Sequence, residues 1–234
     1  MSFFQDVINI VAKYYPQLLS GVGNTMLIAL TGTVAGLAIG LLTGIVRTAP
    51  YSRNGFVRAL HKILNAVIAV YVEIFRGTPM MVQAMVIYWG YAFASGGNTL
   101  PLIPSGILIV SVNTGAYMAE IVRGGIISID KGQFEAGRSL GFNYVQTMAY
   151  IVVPQVIKNV LPALANEFIS LLKETSVAGY VTVADLTYAG NRIRGVTFSP
   201  FMPLIAVALI YLVLVMFFTK LVSLLERRLR NSDH

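Results

Sequence analysis

The side chains best able to do chemistry in this chain are ionisable groups set inside long apolar runs. Asn166, Glu167, Ser170, Lys173 and Glu174 recur at three, four and seven residues, so on a helix they form one polar stripe. Asn113, Tyr117 and Glu120 share another face by the same spacing. An ionisable group at membrane depth is expensive and as a rule faces a cavity or a partner. The two stripes are therefore expected to line a path for a polar solute. A zwitterionic solute needs an anionic and a cationic contact, which Glu120 with Lys173 or Arg76 would supply. A competing reading stays open: Lys173 neutralises Glu174 or Glu167 inside the bundle, and Glu120 lies near the cytoplasmic headgroups. In FRGTP, Gly77 and Pro79 are expected to break a helix beside Arg76. That break either frees backbone groups to line a cavity or gate or is a simple kink.

Other chemistries lack their residues. There is no cysteine, so disulfides, thiolate catalysis and thiolate-bound metals are excluded. The two histidines, His61 and His234, lie far apart and give neither a metal cluster nor a Ser-His-Asp arrangement. No G-x-x-x-x-G-K-[ST] loop is present and no Gly-Lys dipeptide occurs, so the chain has no Walker-type nucleotide site. It is expected to bind no cofactor and to be no enzyme by itself.

The elements that must position these residues are membrane helices. Of 234 residues, 56% are hydrophobic and only 12% charged, about half the charge of a soluble domain, and the mean hydropathy is +0.72. A span needs about 20 mostly apolar residues. Runs at 22–46, 79–95, 105–122 and 201–222 qualify, and 157–180 is a fifth that its own polar stripe interrupts. The run 63–75 is short and bounded by Lys62, Glu73 and Arg76. At the N-terminus Phe4, Val7, Ile8 and Val11 recur at helical spacing. That segment is either an amphipathic helix in the interface or an extension of the first span.

The net charge of +7 would suggest an anionic partner on a soluble protein, but here the basic residues cluster between apolar runs. Arg47, Arg53, Arg58 and Lys62 form one group, Arg123, Lys131, Arg138 and Lys158 a second, and Lys220, Arg227, Arg228 and Arg230 a third. Cytoplasmic enrichment of Lys and Arg explains them, and nucleic acid is not an expected partner. If all three groups are cytoplasmic, an even number of spans separates each pair. On that count 63–75 is an interfacial or partly inserted helix. The fold class is then an all-α membrane protein of about five transmembrane helices in a single domain, 1–234, with the N-terminus outside and the C-terminus cytoplasmic. Gly32, Gly36, Gly40 and Gly44 in the first span place four glycines on one face, for close helix packing within the subunit or between two subunits.

Between the third and fourth spans, about 128–154, lies a polar helical hairpin. Asp130 with Gln133 reads as a helix start, Gly141 as its stop, and Asn143 with Gln146 as a second start. The second helix is expected to end or kink near Pro154. Glu135-Ala136-Gly137, Gly141, Ile151, Val153 and Pro154 fall at intervals that resemble the EAA loop of ABC importer permeases, with Gly137 for Ala and Val153 for Leu. FRGTPMMVQ at 75–83 and AYMAEIVRGGIISIDKGQFEAG at 116–137 are similar to the polar amino acid uptake subfamily, and the likeness runs from about Gly21 to Glu226.

The resemblance implies that Glu135, Ala136, Gly141 and Pro154 belong to a coupling helix that docks on a separate ATPase. It further implies a cytoplasmic ABC ATPase dimer holding ATP and Mg, a second permease subunit, identical or related, and an extracytoplasmic solute-binding protein. The site of action would be the bacterial cytoplasmic (inner) membrane, and the solute a polar amino acid. An ion-gradient-driven secondary transporter or channel subunit is the alternative, distinguished by transport that survives ATPase removal and collapses with an uncoupler. A non-transporting scaffold would tolerate neutralisation of the intramembrane stripe.

Overall fold

The computed structural model describes residues 3–231, with side chains from Phe4 to Arg227; the side chains of Arg228 and Arg230 in the third basic group lie outside them. Among the described residues there are helices and no strand. In chain order they are α1 (Phe3–Thr48), α2 (Gly55–Gly77), α3 (Met80–Ala94), α4 (Leu102–Ile127), α5 (Lys131–Ser139), α6 (Tyr144–Thr147), α7 (Val153–Glu174), α8 (Leu186–Thr197) and α9 (Met202–Asn231). A π turn, Met148–Val152, joins α6 to α7, and a 3₁₀ turn, Thr175–Val181, follows α7. Five of these stretches are long and apolar enough to cross a membrane: Phe4–Thr48, Gly55–Gly77, Leu102–Ile127, Tyr144–Val181 and Met202–Arg227.

Two expectations about the second and third elements are corrected. The run 63–75 is the middle of a helix of 23 residues, about 34 Å long, which matches a hydrocarbon core of about 30 Å. The helix starts early because the Asn54 side chain caps it, accepting from the N–H groups of Phe56 and Val57. Arg58 and Lys62 therefore sit in its first two turns, where long side chains reach the headgroups, and not in a loop. The run 79–95 supplies only 15 helical residues, about 22 Å, and α3 is too short to cross in regular form. The even count between the first two basic groups survives this exchange, with α2 and α4 as the two crossings.

The N-terminal segment is continuous with the first span. One helix runs from Phe3 to Thr48, bent where Tyr14 leaves helical geometry (φ −113°, ψ 16°) beside Pro16. Of the two readings of residues 4–11, the structure has the extension.

α4 is the buried centre, and α1 packs along its length. A Cβ at Gly40 would lie 2.5 Å from Met118 Cβ and 2.8 Å from the Met118 carbonyl carbon, so no larger residue fits without moving backbone. Gly36 and Gly44 meet Thr114 and Val122 in the same way. The glycine face therefore serves packing within the subunit. At the other end α8 is anchored by Asp185. This fully buried carboxylate caps α8 by accepting from Tyr188 N–H at 2.7 Å and takes a 3.3 Å bond from the Tyr211 hydroxyl of α9. The next residue, Leu186, donates its N–H to Thr25 Oγ1 of α1 at 3.1 Å. Burial pushes the Asp185 carboxyl up to about 6, against the pull of these donors.

Candidate functional site: a charged face at membrane depth and a helical corner

α2 ends at Gly77, Thr78 is extended, and Pro79 starts α3. A helix end in apolar surroundings leaves carbonyls without donors, and two buried side-chain amides supply them. Gln83 Nε2 lies 2.9 Å from both the Phe75 and Thr78 carbonyls, and Asn113 Nδ2 donates to the Phe75 carbonyl at 3.4 Å. The amides also bond each other, Asn113 Nδ2 to Gln83 Oε1 at 2.7 Å. Asn113 is 2% exposed, so it fixes the break and does not present a surface to a solute. Gln83, seven-hundredths exposed, was not singled out in the sequence; its signal is one amide in an otherwise apolar run.

The fixed break holds Arg76 against α4. Its guanidinium carbon lies 5.7 Å from the centre of the Tyr117 ring, a cation–π geometry. Glu167 of α7 lies within the fields of both Arg76 and Glu174, so the break, the middle of α4 and the outer half of α7 converge. A cavity of about 270 Å³, lined by Val72, Glu73, Arg76, Gly77 and Tyr117, opens on this face. Glu73, Arg76, Lys173 and Glu174 are exposed in the single chain, as is Asn166, and Glu167 and Ser170 are half-buried. Asn166 also donates to its own helix, to the Pro162 carbonyl at 3.0 Å. Carboxylates and cations thus share a surface with several apolar neighbours in lipid-type helices, where only water, a solute or another chain can satisfy them.

Glu120 does not join this group. It forms ion pairs with Arg47 of α1 and, at 2.7 Å, with Arg123 of its own helix. Its carboxylate is taken up by these two arginines and braces α4 to the basic end of α1, so it does not stand free beside Lys173 or Arg76 as a contact for a solute. The sequence hides this because Arg47 and Glu120 are 73 residues apart.

The 128–154 segment forms a compact corner. Asp130 caps α5 through Gly132 N–H at 2.6 Å. Gly141 takes φ +78°, and its N–H reaches the Arg138 carbonyl while the Phe142 N–H reaches Gly137, the paired bonds of a Schellman stop. Asn143 and Gln146 make a full capping box. The second helix does not end at Pro154. The π turn takes up the missing N–H just ahead, with Val153 N–H bonded five residues back to Met148, and Pro154 sits in the first turn of α7. Glu135, Ala136 and Pro154 are exposed. So are Leu140, Val145 and Tyr150, each 71%, an apolar rim that sequence spacing did not reveal. Behind the rim, Phe134 packs on a core of Val122, Ile126, Met148, Val152 and Val156, tying the corner to α4 and α7.

Membrane helices that bury their backbones against one another, leave charge on one face and carry a rigid polar corner at one end fit a membrane transport subunit. Residues 54–231 match the family described as binding-protein-dependent transport system inner membrane component, and the chain belongs to it; it is a multi-pass membrane permease subunit of an ABC importer. It is 35% identical over 215 residues to the glutamine transport system permease protein GlnP of Escherichia coli (strain K12), covering 92% of this chain and 94% of that one. It is 31% identical over 218 residues to the arginine transport system permease protein ArtQ of Bacillus subtilis (strain 168), covering 93% and 94%. A crystal structure of an amino acid ABC transporter with histidines superposes with a TM-score of 0.81 at 36% identity, covering 97% of this chain and 99% of that one. An inward-facing MetNI methionine ABC transporter shares the fold at 20% identity, with a TM-score of 0.73 over 91% and 95% of the two chains.

Proposed function

We propose that the chain conducts a polar amino acid across the bacterial inner membrane along the face formed by Arg76, Tyr117, Ser170, Glu167, Lys173 and Glu174, driven by a cytoplasmic ATPase dimer that holds ATP and Mg. The observation that carries this reading is the exposed set of opposite charges at the break of α2. An amino acid carries one carboxylate and one ammonium, and Arg76 beside Glu167 offers a partner for each. The cavity is below the usual 300–1,000 Å³ of a complete ligand site. That supports a path closed by a second permease subunit, identical or related, against the same face. Related permeases are named for glutamine, arginine and cystine, which supports the solute class.

The ATPase docks on the corner, with Glu135, Ala136 and Gly141 at the contact and Leu140, Val145 and Tyr150 as its apolar rim. A rigid-body displacement there reaches the bundle through α4 and α7. The clustering of Lys and Arg supports an orientation with the corner and the C-terminus in the cytosol and the N-terminus outside. A soluble binding protein delivers solute on the outer side.

The test is uptake by the reconstituted assembly with arginine, glutamine, glutamate and cystine as competitors. One of them should compete, and Glu135→Lys with Gly141→Val should abolish uptake while the protein still inserts. Uptake at the normal rate in that variant, or no competition by any of the four, would sink the reading.

A further inference from the structure

The α8 region has features that neither the charged face nor the corner uses. Thr182 and Phe198, at its two boundaries, are the only non-glycine residues among those described with positive φ, +64° and +50°. A β-branched or bulky residue in this conformation is an outlier, and such strain persists only where the surroundings over-determine it. The surroundings here are the buried Asp185 cap and its bonds to Tyr188 and Tyr211, with the neighbouring Leu186 N–H held by Thr25. Leu186 and Ile193 are also fully buried.

α8 is thus clamped in place with its other face free. The exposed arc carries Asn191, Arg192 and Arg194, with the two arginines on opposite flanks of the helix because they stand two residues apart, and at its end the Phe198 ring is 91% exposed. Between Val181 and Met202 the charged residues are Asp185, Arg192 and Arg194. Since Asp185 is buried, the surface charge of the segment is +2. Neither arginine has an ion-pair partner among the described residues. Open clefts of about 260 and 390 Å³ flank them, the first beside Gln17 and Ser20 of α1, the second beside Phe198 and Pro200. Gly21, against which Leu186 packs, lies 27 residues before Thr48, about 40 Å along the helix. That is the full thickness of a bilayer with its headgroups, so α8 lies at the surface opposite the basic end of α1.

We infer that the exposed face of α8, with Arg192 and Arg194 as its charges and Phe198 as its apolar anchor, is the docking surface for an acidic face of the soluble solute-binding protein. The inference rests on the importer reading above and adds to it the place and the charge of the contact. Two exposed cations on a segment whose one carboxylate is buried steer an acidic partner and fix its register. A ring held outward by a strained backbone supplies the desolvated contact that such an interface needs.

The test uses the complete assembly of permeases, ATPases and binding protein in phosphatidylcholine vesicles, with and without phosphatidylglycerol. Arg192→Glu with Arg194→Glu should raise the half-saturating concentration of binding protein for ATPase stimulation roughly tenfold at low salt. It should also flatten the salt dependence of stimulation and leave the ATPase rate without binding protein unchanged. Lysine at both positions should restore most of the affinity, and Phe198→Ala should weaken it at all salt concentrations. An unchanged half-saturating concentration in the double reversal overturns the inference. So does an equal fall in the unstimulated rate, which marks a merely structural role. An effect that follows phosphatidylglycerol content with binding-protein affinity intact also overturns it, because the surface would then serve lipid. A wild-type assembly that no binding protein stimulates would fail earlier, at the importer reading itself.

Discussion

The α1–α4 seam and the α2–α7 face run through the same depth of the bundle and are built in opposite ways. In the seam, backbone meets backbone: Gly36, Gly40 and Gly44 leave no room between α1 and the Thr114–Val122 side of α4. The ion pair across it, Glu120 with Arg47, lies at the end of α1, and Arg123 of α4 completes the carboxylate's partners. On the face, Arg76, Glu167, Lys173 and Glu174 leave their charges open to whatever lies outside the single chain. In lipid, where apolar burial between helices offers little drive, association depends on close packing and on polar contacts. The seam spends the first and the face keeps the second available. A subunit that must move as a body while letting a polar solute by needs one region that cannot open and another that is never closed by its own residues.

Substitutions should separate the two by what they damage. Gly40→Val puts side-chain atoms into the Met118 backbone, and by the cost of overpacking should lose about 3 kcal/mol or more, read as a fall in the unfolding temperature of the detergent-solubilised protein with uptake lost in parallel. A seam that absorbs valine at no cost would erase the contrast.

Asp185 comes next, and its sign can be worked out. Its folded value, about 6, exceeds the ordinary 3.8, so the folded state holds the proton more tightly than the unfolded state does. The stability this contributes is complete below about pH 4 and is lost as pH rises through 6, roughly 3 kcal/mol in all. Asp185→Asn keeps an acceptor for Tyr188 N–H and removes the titration, so the unfolding temperature between pH 5 and 8 should flatten and rise at the alkaline end. A pH profile identical to the wild type would remove Asp185 from the account.

Gly141→Ala places a Cβ at φ +78° and should cost about 1 kcal/mol, seen in denaturant midpoints, with coupling retained. The smallest effect on stability belongs to the face. Glu167→Gln should shift the unfolding midpoint by less than about 0.5 kcal/mol yet change the apparent affinity or selectivity of uptake. Unaltered kinetics would take Glu167 off the path and leave the face as mere surface.

Much of the corner was legible in the sequence because its signals are local. Asp130, Gly141, Asn143 and Gln146 each act on backbone within three or four residues, and each performs the predicted task. The five-helix scale was legible from composition. The identity of the short element was not, since Arg58 and Lys62 look like the close of a loop until the Asn54 cap shows that the helix has already begun. The partners of Asn113 and Glu120 were equally hidden: Gln83 and Arg47 lie 30 and 73 residues away, and helical spacing reports only what shares a face, not what lies opposite. The burial of Asp185 is hidden in the same way, because an N-cap acid reads as a surface residue and only the packing of α1 and α9 over it makes it a buried one.

The π turn at Met148–Val152 has one more consequence. A wider turn carries an extra residue at little added length, and one residue of an α-helix is about 100° of azimuth. The direction in which Tyr144 and Val145 of α6 look is therefore not locked to the direction in which Glu167 and Glu174 look, although one helical path through the turn connects α6 to α7. The turn works like a keyed collar on a shaft, setting the angle between the corner at one end and the charged face at the other.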